Sequence, residues 1–288
     1  MKNDLTVIIL TYNEEANIKY SVSNVINWAA DVFVLDSYST DKTVDVAAAL
    51  GAKAFYNKFG DFSLQRKHAL NNLPIKTEWV FFLDADEYLT EELKEEIIRV
   101  LKSPSYDAYM AKRRFYWMGK WIRRGYYPTW FVRLGRRNSI DCDNRPVNEH
   151  LICKTGNAGR LKNDFIDYNR KGLKEWISKH NDYSTREARY LFDDKKEKYN
   201  FYGSQYEKKR WLRVNIWNKL PPVIRPFLYF GYIYFLKLGF MDGPRALMYH
   251  FLHSFSYRML IDFKYLGIKW NKKYLCSKDR RSAHKPNG

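Results

Sequence analysis

The stretch LTVIILTYNEE (residues 5–15) decides the fold. Residues 5–10 form an apolar run rich in β-branched side chains, which reads as a strand buried on both faces. The run stops at polar Thr11-Tyr12-Asn13-Glu14, and Ile18, Val22, Val25 and Ile26 then recur at helical spacing. The same order repeats downstream. VFVL (32–35) is a second buried strand ended by Asp36, Ser39-Thr40-Asp41 supply cap chemistry for a helix to about Leu50, and Gly51 is placed to stop it. Residues 53–56 read as a short third strand and 62–73 as a helix stopped by Pro74. WVFFL (79–83) is a fourth buried strand, followed by Asp84-Ala85-Asp86-Glu87; Thr90 then precedes a helix with the apolar stripe Leu93, Ile97, Val100 and Leu101. Strands alternating with helices predict an α/β fold, a mainly parallel Rossmann-like sheet with helices on both faces and right-handed crossovers. All the strand carboxyl ends then share one edge, where ligands bind in open α/β sheets. Asn13, Asp36, Asp84 and Asp86 fall on that edge.

After about residue 105 the pattern changes. Residues 106–112, 114–118 and 130–134 read as shorter strands around a basic loop at 120–125, and 173–191 as a helix. Residues 193–213 are densely charged, and Pro221-Pro222 and Pro226 mark a break before an aromatic, basic C-terminal segment. The expected division is one domain over 1–170, in halves 1–105 and 106–170, and a helical extension over 171–288. Its last residues, from about 278, read as a disordered tail.

The 288 residues, 45% hydrophobic, are enough for a sizeable core without a disulfide or metal staple. Cys142, Cys153 and Cys276 are scattered, odd in number and without metal-ligand spacing, which fits a reducing compartment. Lys and Arg total 50 against 32 Asp and Glu, so the expected partner surface is anionic: nucleic acid, membrane or phosphorylated glycolipid. No signal peptide is visible and no stretch of about 18 uncharged apolar residues offers a spanning helix.

Asp84-Ala85-Asp86 holds two carboxylates at the sheet edge, one residue apart. Hard oxygen donors of this kind suit Mg²⁺ or Mn²⁺, with a ligand diphosphate completing the shell. The plain alternative is a polar loop that ends a strand. Asp36 could accept the N–H of a uracil-like base, or serve only a turn; Thr11, Tyr12, Asn13 and Glu14 could hold a nucleoside, or merely cap a helix.

Taken in order, VIILTYNEEANI (7–18), VLDSYSTDKT (34–43) and FFLDADEYL (81–89) resemble the family 2 glycosyltransferases, which have the GT-A fold. FSLQRKHALN (62–71) is similar to the helix before the metal motif in that family. The resemblance is clear over about 5–90 and weaker to about 155. It implies a nucleotide-diphosphate sugar donor, commonly a UDP-sugar, bound by the half 1–105, with inversion at the anomeric carbon and an acceptor half at 106–170. By resemblance, Thr11, Tyr12, Asn13, Glu14, Asp36, Ser37, Gln65, Arg66, Asp84 and Ala85 hold the donor, and Asp84 and Asp86 the metal. Lys67 departs from the Asn common after that arginine.

An inverting displacement needs one carboxylate to take the acceptor proton, by the logic of inverting glycosidases. Arg145-Pro146-Val147-Asn148-Glu149-His150 resembles a Val-His-Glu element of the subfamily, with Asn148 where His is usual. Glu149 is the expected base, ahead of Asp141 and Asp143, and His150 an acceptor contact. Arg123, Arg124, Arg133, Arg136 and Arg137 gather near it; Arg124 and Arg133 are expected to meet acceptor or phosphate, since Arg suits bidentate oxyanion contact.

Residues 223–268, apolar and aromatic with basic flanks, read as interfacial helices on anionic lipid. The run 237–243 resembles the C-terminal part of glycosyltransferases that build lipopolysaccharide core or lipid-linked surface polysaccharide. The expected acceptor is a glycolipid or lipid-linked saccharide, at the cytoplasmic face of a bacterial inner membrane. Two other classes compete. A nucleic-acid binder is suggested by the charge of +18, but no RNP, zinc-finger or helix-turn-helix pattern appears. A sugar-1-phosphate nucleotidyltransferase would open with a Gly-rich loop where this chain has Thr11-Tyr12-Asn13-Glu14-Glu15. The intact Asp36, Asp84 and Asp86 speak against a catalytically dead scaffold.

Overall fold

A computed structural model of the chain describes residues 3–142, 151–193, 211, 212 and 215–282. The chain divides into two compact units, Met1–Gly172 and Leu173–Gly288.

In the first unit, β1 (Asn3–Thr11) lies between β2 (Ala29–Asp36) and β4 (Trp79–Asp84), parallel to both, and β3 (Lys53–Tyr56) extends β2. Strand β1 is apolar on both sides because both sides are covered. Leu5, Val7 and Ile9 pack with Ile18, Val22 and Val25 of α1 (Glu15–Val25), Ala47 of α2 (Thr43–Ala49) and Leu93 and Ile97 of α4 (Glu91–Lys102). Ile8 points the other way, to Ala69 and Leu70 of α3 (Phe62–Asn72). The expected stops are in place. Thr90 Oγ1 accepts from the Leu93 N–H as the α4 cap, Gly51 takes φ +93° after α2, and α3 ends two residues before Pro74. The cap of α2 is shifted: that helix starts at Thr43, whose N–H donates to Asp41 Oδ1.

Beyond residue 105 the structure corrects the sequence reading. The two short strands expected at 106–112 and 114–118 are one, β6 (Ala108–Trp117), and part of the basic loop, β7 (Lys120–Trp121), pairs back onto it. Strand β8 (Trp130–Arg136) inserts antiparallel between β4 and β6. Four further strands went unread: β5 (Glu87–Leu89) and β11 (Ala158–Asp167) in this sheet, and the separate pair β9 (Ile140–Cys142) and β10 (Leu151–Cys153). The register of β11 against β6 slips between Arg160 and Asp164, and such a bulge breaks the period of two that marks a strand. The sheet order is β3-β2-β1-β4-β8-β6-β11-β5. Strands β6 and β11 point the same way as β1 to β4, so their carboxyl ends reach the same edge. The hairpin of β9 and β10 stands apart.

The second unit is helical: α5 (Gly172–Asp193), α6 (Ile224–Gly231), α7 (Pro244–His250) and α8 (Tyr257–Ser282), with π-helical turns at Tyr232–Leu236 and Phe251–Ser256 and a 3-10 turn at Gly239–Asp242. Helix α8 runs past Lys278, where the sequence reading starts a tail, because no Gly or Pro stops it between Ile268 and Ser282. Gly239 sits where a Cβ would fall 2.9 Å from His250 Nε2. Arg225 is buried with Asp262, its Nε 2.7 Å from Oδ1, and the Val223 N–H also donates to that carboxylate. The Tyr257 hydroxyl lies 3.0 Å from Glu187 Oε1 and ties α8 to α5. Burial pulls His180 and His250 down to about 4, so both rings are neutral at neutral pH. Among the described residues, no helix is long and apolar enough to cross a membrane.

Candidate active site

Two loops meet at the ends of β1 and β2. Asp36 is 0% exposed and accepts three hydrogen bonds: from the Thr11 hydroxyl at 2.8 Å, the Ser39 N–H at 2.7 Å and the Ser39 hydroxyl at 2.5 Å. A carboxylate has about four acceptor positions, so most of its capacity goes to shaping the loop. Asn13, at φ 52°, donates its N–H to Ser39 Oγ and accepts from the Thr40 N–H. Ser37 accepts from Gln65 Nε2 at 2.7 Å, and buried Gln65 also holds Asn57. Tyr12 is exposed beside these loops, as are Tyr38 and Tyr56, whose rings stack with centroids 5.7 Å apart. These are open aromatic faces at the edge where ligands are expected.

At the end of β4, Asp84 is 37% exposed and faces two cations. Arg66 Nη2 lies 3.6 Å from its Oδ1, and Arg133 Nη2 3.2 Å from its Oδ2. Arg133 comes from β8, stacks on Phe165 at 4.9 Å and also meets Glu87 Oε1 at 2.5 Å. It is therefore buried behind the carboxylates, where its described partners are Asp84 and Glu87. Burial drives the Glu87 carboxyl well above the usual range; the Arg133 charge opposes this, and Asp84, Asp167 and Asp86 add to it. Burial works against the Arg133 charge too, but Glu87 and Asp84 outweigh it and raise its pKa. Ala85 is buried between the two aspartates.

Asp86 is held by a different part of the chain. Its Oδ2 accepts from Asn169 Nδ2 at 2.9 Å, and its carbonyl accepts from the Tyr168 N–H. Asn169 Oδ1 in turn accepts from the Lys171 N–H, and Lys171 Nζ donates to Glu14 Oε1 at 2.6 Å. Fully buried Asn17 closes the ring, donating to Glu14 Oε2 and accepting from the Arg170 N–H. Burial raises the Glu14 carboxyl, the Asp86 charge adds to it, and hydrogen bonds from Asn17 and Lys171 pull the other way. The pairing of β5 with the end of β11, Glu87 opposite Asp167, brings residues 168–171 to the Asp86 loop.

The sequence reading missed Asn17, Glu87, Asn169 and Lys171. A polar Asn17 beside Ile18 on the buried face of α1 was a readable sign. Asn169 and Lys171 gave none, because only the unread strand β11 delivers them. The remaining candidates scatter. Arg124 is half-buried in the loop after β7, and Arg123 is exposed over the Trp121 ring. Arg136 pairs with Glu78, and Arg137 donates to the Leu70 and Ile75 carbonyls. Asp141 lines a polar cleft with Lys67, Asn71, Arg137 and Lys154. Glu149, His150 and Asp143 lie outside the described residues.

Among the described residues, no group of three or more His, Cys, Asp or Glu is arranged to hold a metal ion. Asp84 and Asp86 supply hard oxygen donors at a half-open edge. That set fits an ion which takes the rest of its shell from phosphate oxygens and water, the habit of Mg²⁺. It does not fit a closed all-protein site.

Comparison with known proteins bears on the family and the fold. Residues 6–168 match the model of glycosyl transferase family 2. An uncharacterized glycosyltransferase of Rickettsia typhi is 27% identical over 97% of this chain and 98% of its own length. Another from Rickettsia bellii is 38% identical over 37% of this chain, and the match spans only 36% of that relative. The lipopolysaccharide core biosynthesis glycosyltransferase LpsC of Rhizobium meliloti is 28% identical over 65% of this chain and 71% of its own. Among solved structures, a mannosyltransferase of Pyrobaculum calidifontis in complex with GDP-Man and Mn²⁺ superposes with TM-score 0.52 at 13% identity, over 92% of this chain and 88% of that one. This last likeness speaks to the fold, a GT-A arrangement, alone.

Proposed function

The chain belongs to glycosyl transferase family 2, and on that footing we propose that it moves a sugar from a nucleotide-diphosphate donor, UDP-linked, to a hydroxyl of a glycolipid or surface-polysaccharide acceptor, with inversion. The observation that carries the reading is the strand-end cluster: Asp84 and Asp86 on one open edge, each held by a different part of the chain, beside loops fixed by Asp36. Kinship with LpsC supports an acceptor of the lipopolysaccharide-core class.

In this reading the open faces of Tyr12, Tyr38 and Tyr56 receive the nucleobase, and Asn13, Ser37 and Gln65 shape the nucleoside cradle. Asp84 and Asp86 would hold a divalent ion, Mn²⁺ or Mg²⁺, which offsets negative charge on the departing diphosphate. Arg66 and Arg133 aim Asp84, and Asn169 aims Asp86. The acceptor oxygen forms its bond to the anomeric carbon as the bond from that carbon to the diphosphate oxygen breaks. The acceptor proton passes to the Glu149 carboxylate, and the nucleoside diphosphate leaves with its electron pair.

Calorimetric titration of UDP, with and without Mn²⁺, tests the donor half of the proposal. Metal-dependent binding is the expected result; GDP and dTDP belong in the same series, and silence from all three overturns it. For the base, Glu149→Gln is expected to keep UDP binding and to lower transfer by about 10²–10⁴-fold, the usual contribution of a general base. Equal losses in both would remove Glu149 from that role.

A further inference from the structure

The second unit buries polar side chains beside apolar ones and leaves many large apolar ones exposed. Ser184, Glu187, Arg225, Asp242, His250, Ser254 and Asp262 are buried together with Ile233, Ala246, Tyr249 and Ile261. Its exposed side chains include large apolar ones at helical spacing. On α6 and the turn after it these are Ile224, Phe227, Leu228, Tyr232, Phe235 and Leu236, the last 76% exposed. Leu238, Phe240 and Met241 follow, then Leu247, Met248 and Phe251 along α7. The two runs are side by side, since Phe227 meets Phe255 at 4.8 Å between centroids and Phe255 stacks on Phe251 at 5.3 Å. A monomer in water does not gain from such an arrangement, and an apolar patch of this extent marks an interaction site.

Charge selects the partner. Between residues 219 and 272 there are eight Lys and Arg against two Asp and no Glu, and Asp262 is consumed by Arg225. Lys219, Lys237 and Arg245, within or next to the apolar runs in sequence, are exposed, as are Lys269 and Lys272 further along α8. A two-fold dimer through this face would set the cations against their own copies. An anionic bilayer instead accepts the apolar side chains at the acyl boundary and the cations at the headgroups. No described helix is long and apolar enough to span, so a lipid contact made by this face would lie along the bilayer surface.

From this exposed apolar face and the excess of cations around it we infer that the 224–251 face of the second unit seats the protein on anionic lipid, by shallow insertion of Phe227, Phe235, Leu236 and their neighbours. The cytoplasmic leaflet of a bacterial inner membrane has the required charge. This inference is independent of the donor reading, because vesicle binding and nucleotide binding are separate measurements.

The test is co-sedimentation of the full chain with phosphatidylcholine vesicles, with and without phosphatidylglycerol. The wild-type protein is expected to pellet with the anionic vesicles. Phe227→Ser combined with Phe235→Ser and Leu236→Ser is expected to weaken that partition about a hundredfold or more, from the loss of three inserted side chains, with UDP binding and circular dichroism unchanged. Lys237→Gln with Lys272→Gln is expected to weaken it about tenfold on anionic vesicles; this pair replaces exposed side chains only, and stands in if the serine variant fails to fold. Wild-type protein that stays in the supernatant with both vesicle types overturns the inference. So does a dimer in sedimentation velocity that the serine substitutions dissolve while vesicle binding persists, which would assign the face to a second copy.

Discussion

Asp86→Ala is expected to lower sugar transfer by about a thousandfold, the scale of several kcal/mol of charge stabilisation on the leaving diphosphate. The fold is expected to survive. The Asp86 side chain is held by Asn169, while the backbone bond from the Tyr168 N–H to the Asp86 carbonyl remains. The measurement is turnover of a UDP-sugar in Mn²⁺, with the UDP titration run beside it. Chelation of the wild-type protein is expected to reach the same floor, and chelating the variant to change nothing more. Undiminished turnover in Asp86→Ala would remove that carboxylate from the metal role, and would leave Asp84 to carry the diphosphate with Arg66.

The largest expected effect on stability comes from Arg133→Met. The guanidinium is 6% exposed and faces both Glu87 and Asp84. Removing one partner of a buried pair leaves the other charge uncompensated, at a cost of about 3–5 kcal/mol. Methionine keeps most of the volume against Phe131 and Phe165, so the loss reads charge more than packing. Urea denaturation gives the magnitude. Adding Glu87→Gln to Arg133→Met is expected to recover part of it, because a neutral amide no longer needs the cation. An Arg133→Met protein as stable as wild type would leave this residue to the acceptor or phosphate contact that its sequence neighbourhood suggested.

The contrast between Asp84 and Arg133 shows where sequence reading succeeds. Asp84 closes a run of residues buried on both faces, so strand, edge and exposure all follow from the local pattern. Strands β1, β2 and β4 were legible for that reason, and with them Thr11, Asn13, Asp36 and Asp86. Arg133 sits in a run of basic residues that reads equally well as a solvated face. Only the insertion of β8 beside β4 turns it inward, and that pairing is non-local. Strand β11 failed for a different cause: its bulge and its buried Asp164 and Asp167 spoil the alternation that would reveal it. The cost was Asn169 and Lys171, which belong to the site only through the position of that strand. The role of Asp36 also shifted in emphasis. Its place was readable, but its three internal hydrogen bonds were not, since they depend on a turn at Tyr38 with φ 63°.

The reversed strand β8 has a consequence for grafting one relative onto another. A chimera that joined residues 1–105 of this chain to the later strands of a different member would look like an exchange of independent modules. It is not, because the guanidinium on β8 belongs to the incoming part and its two carboxylates to the resident one. A donor of that part without a cation opposite Glu87 would deliver a well-formed sheet with a buried charge imbalance at its centre. Compatible exchanges are those that transplant the cation together with its strand, or that neutralise position 87 at the same time.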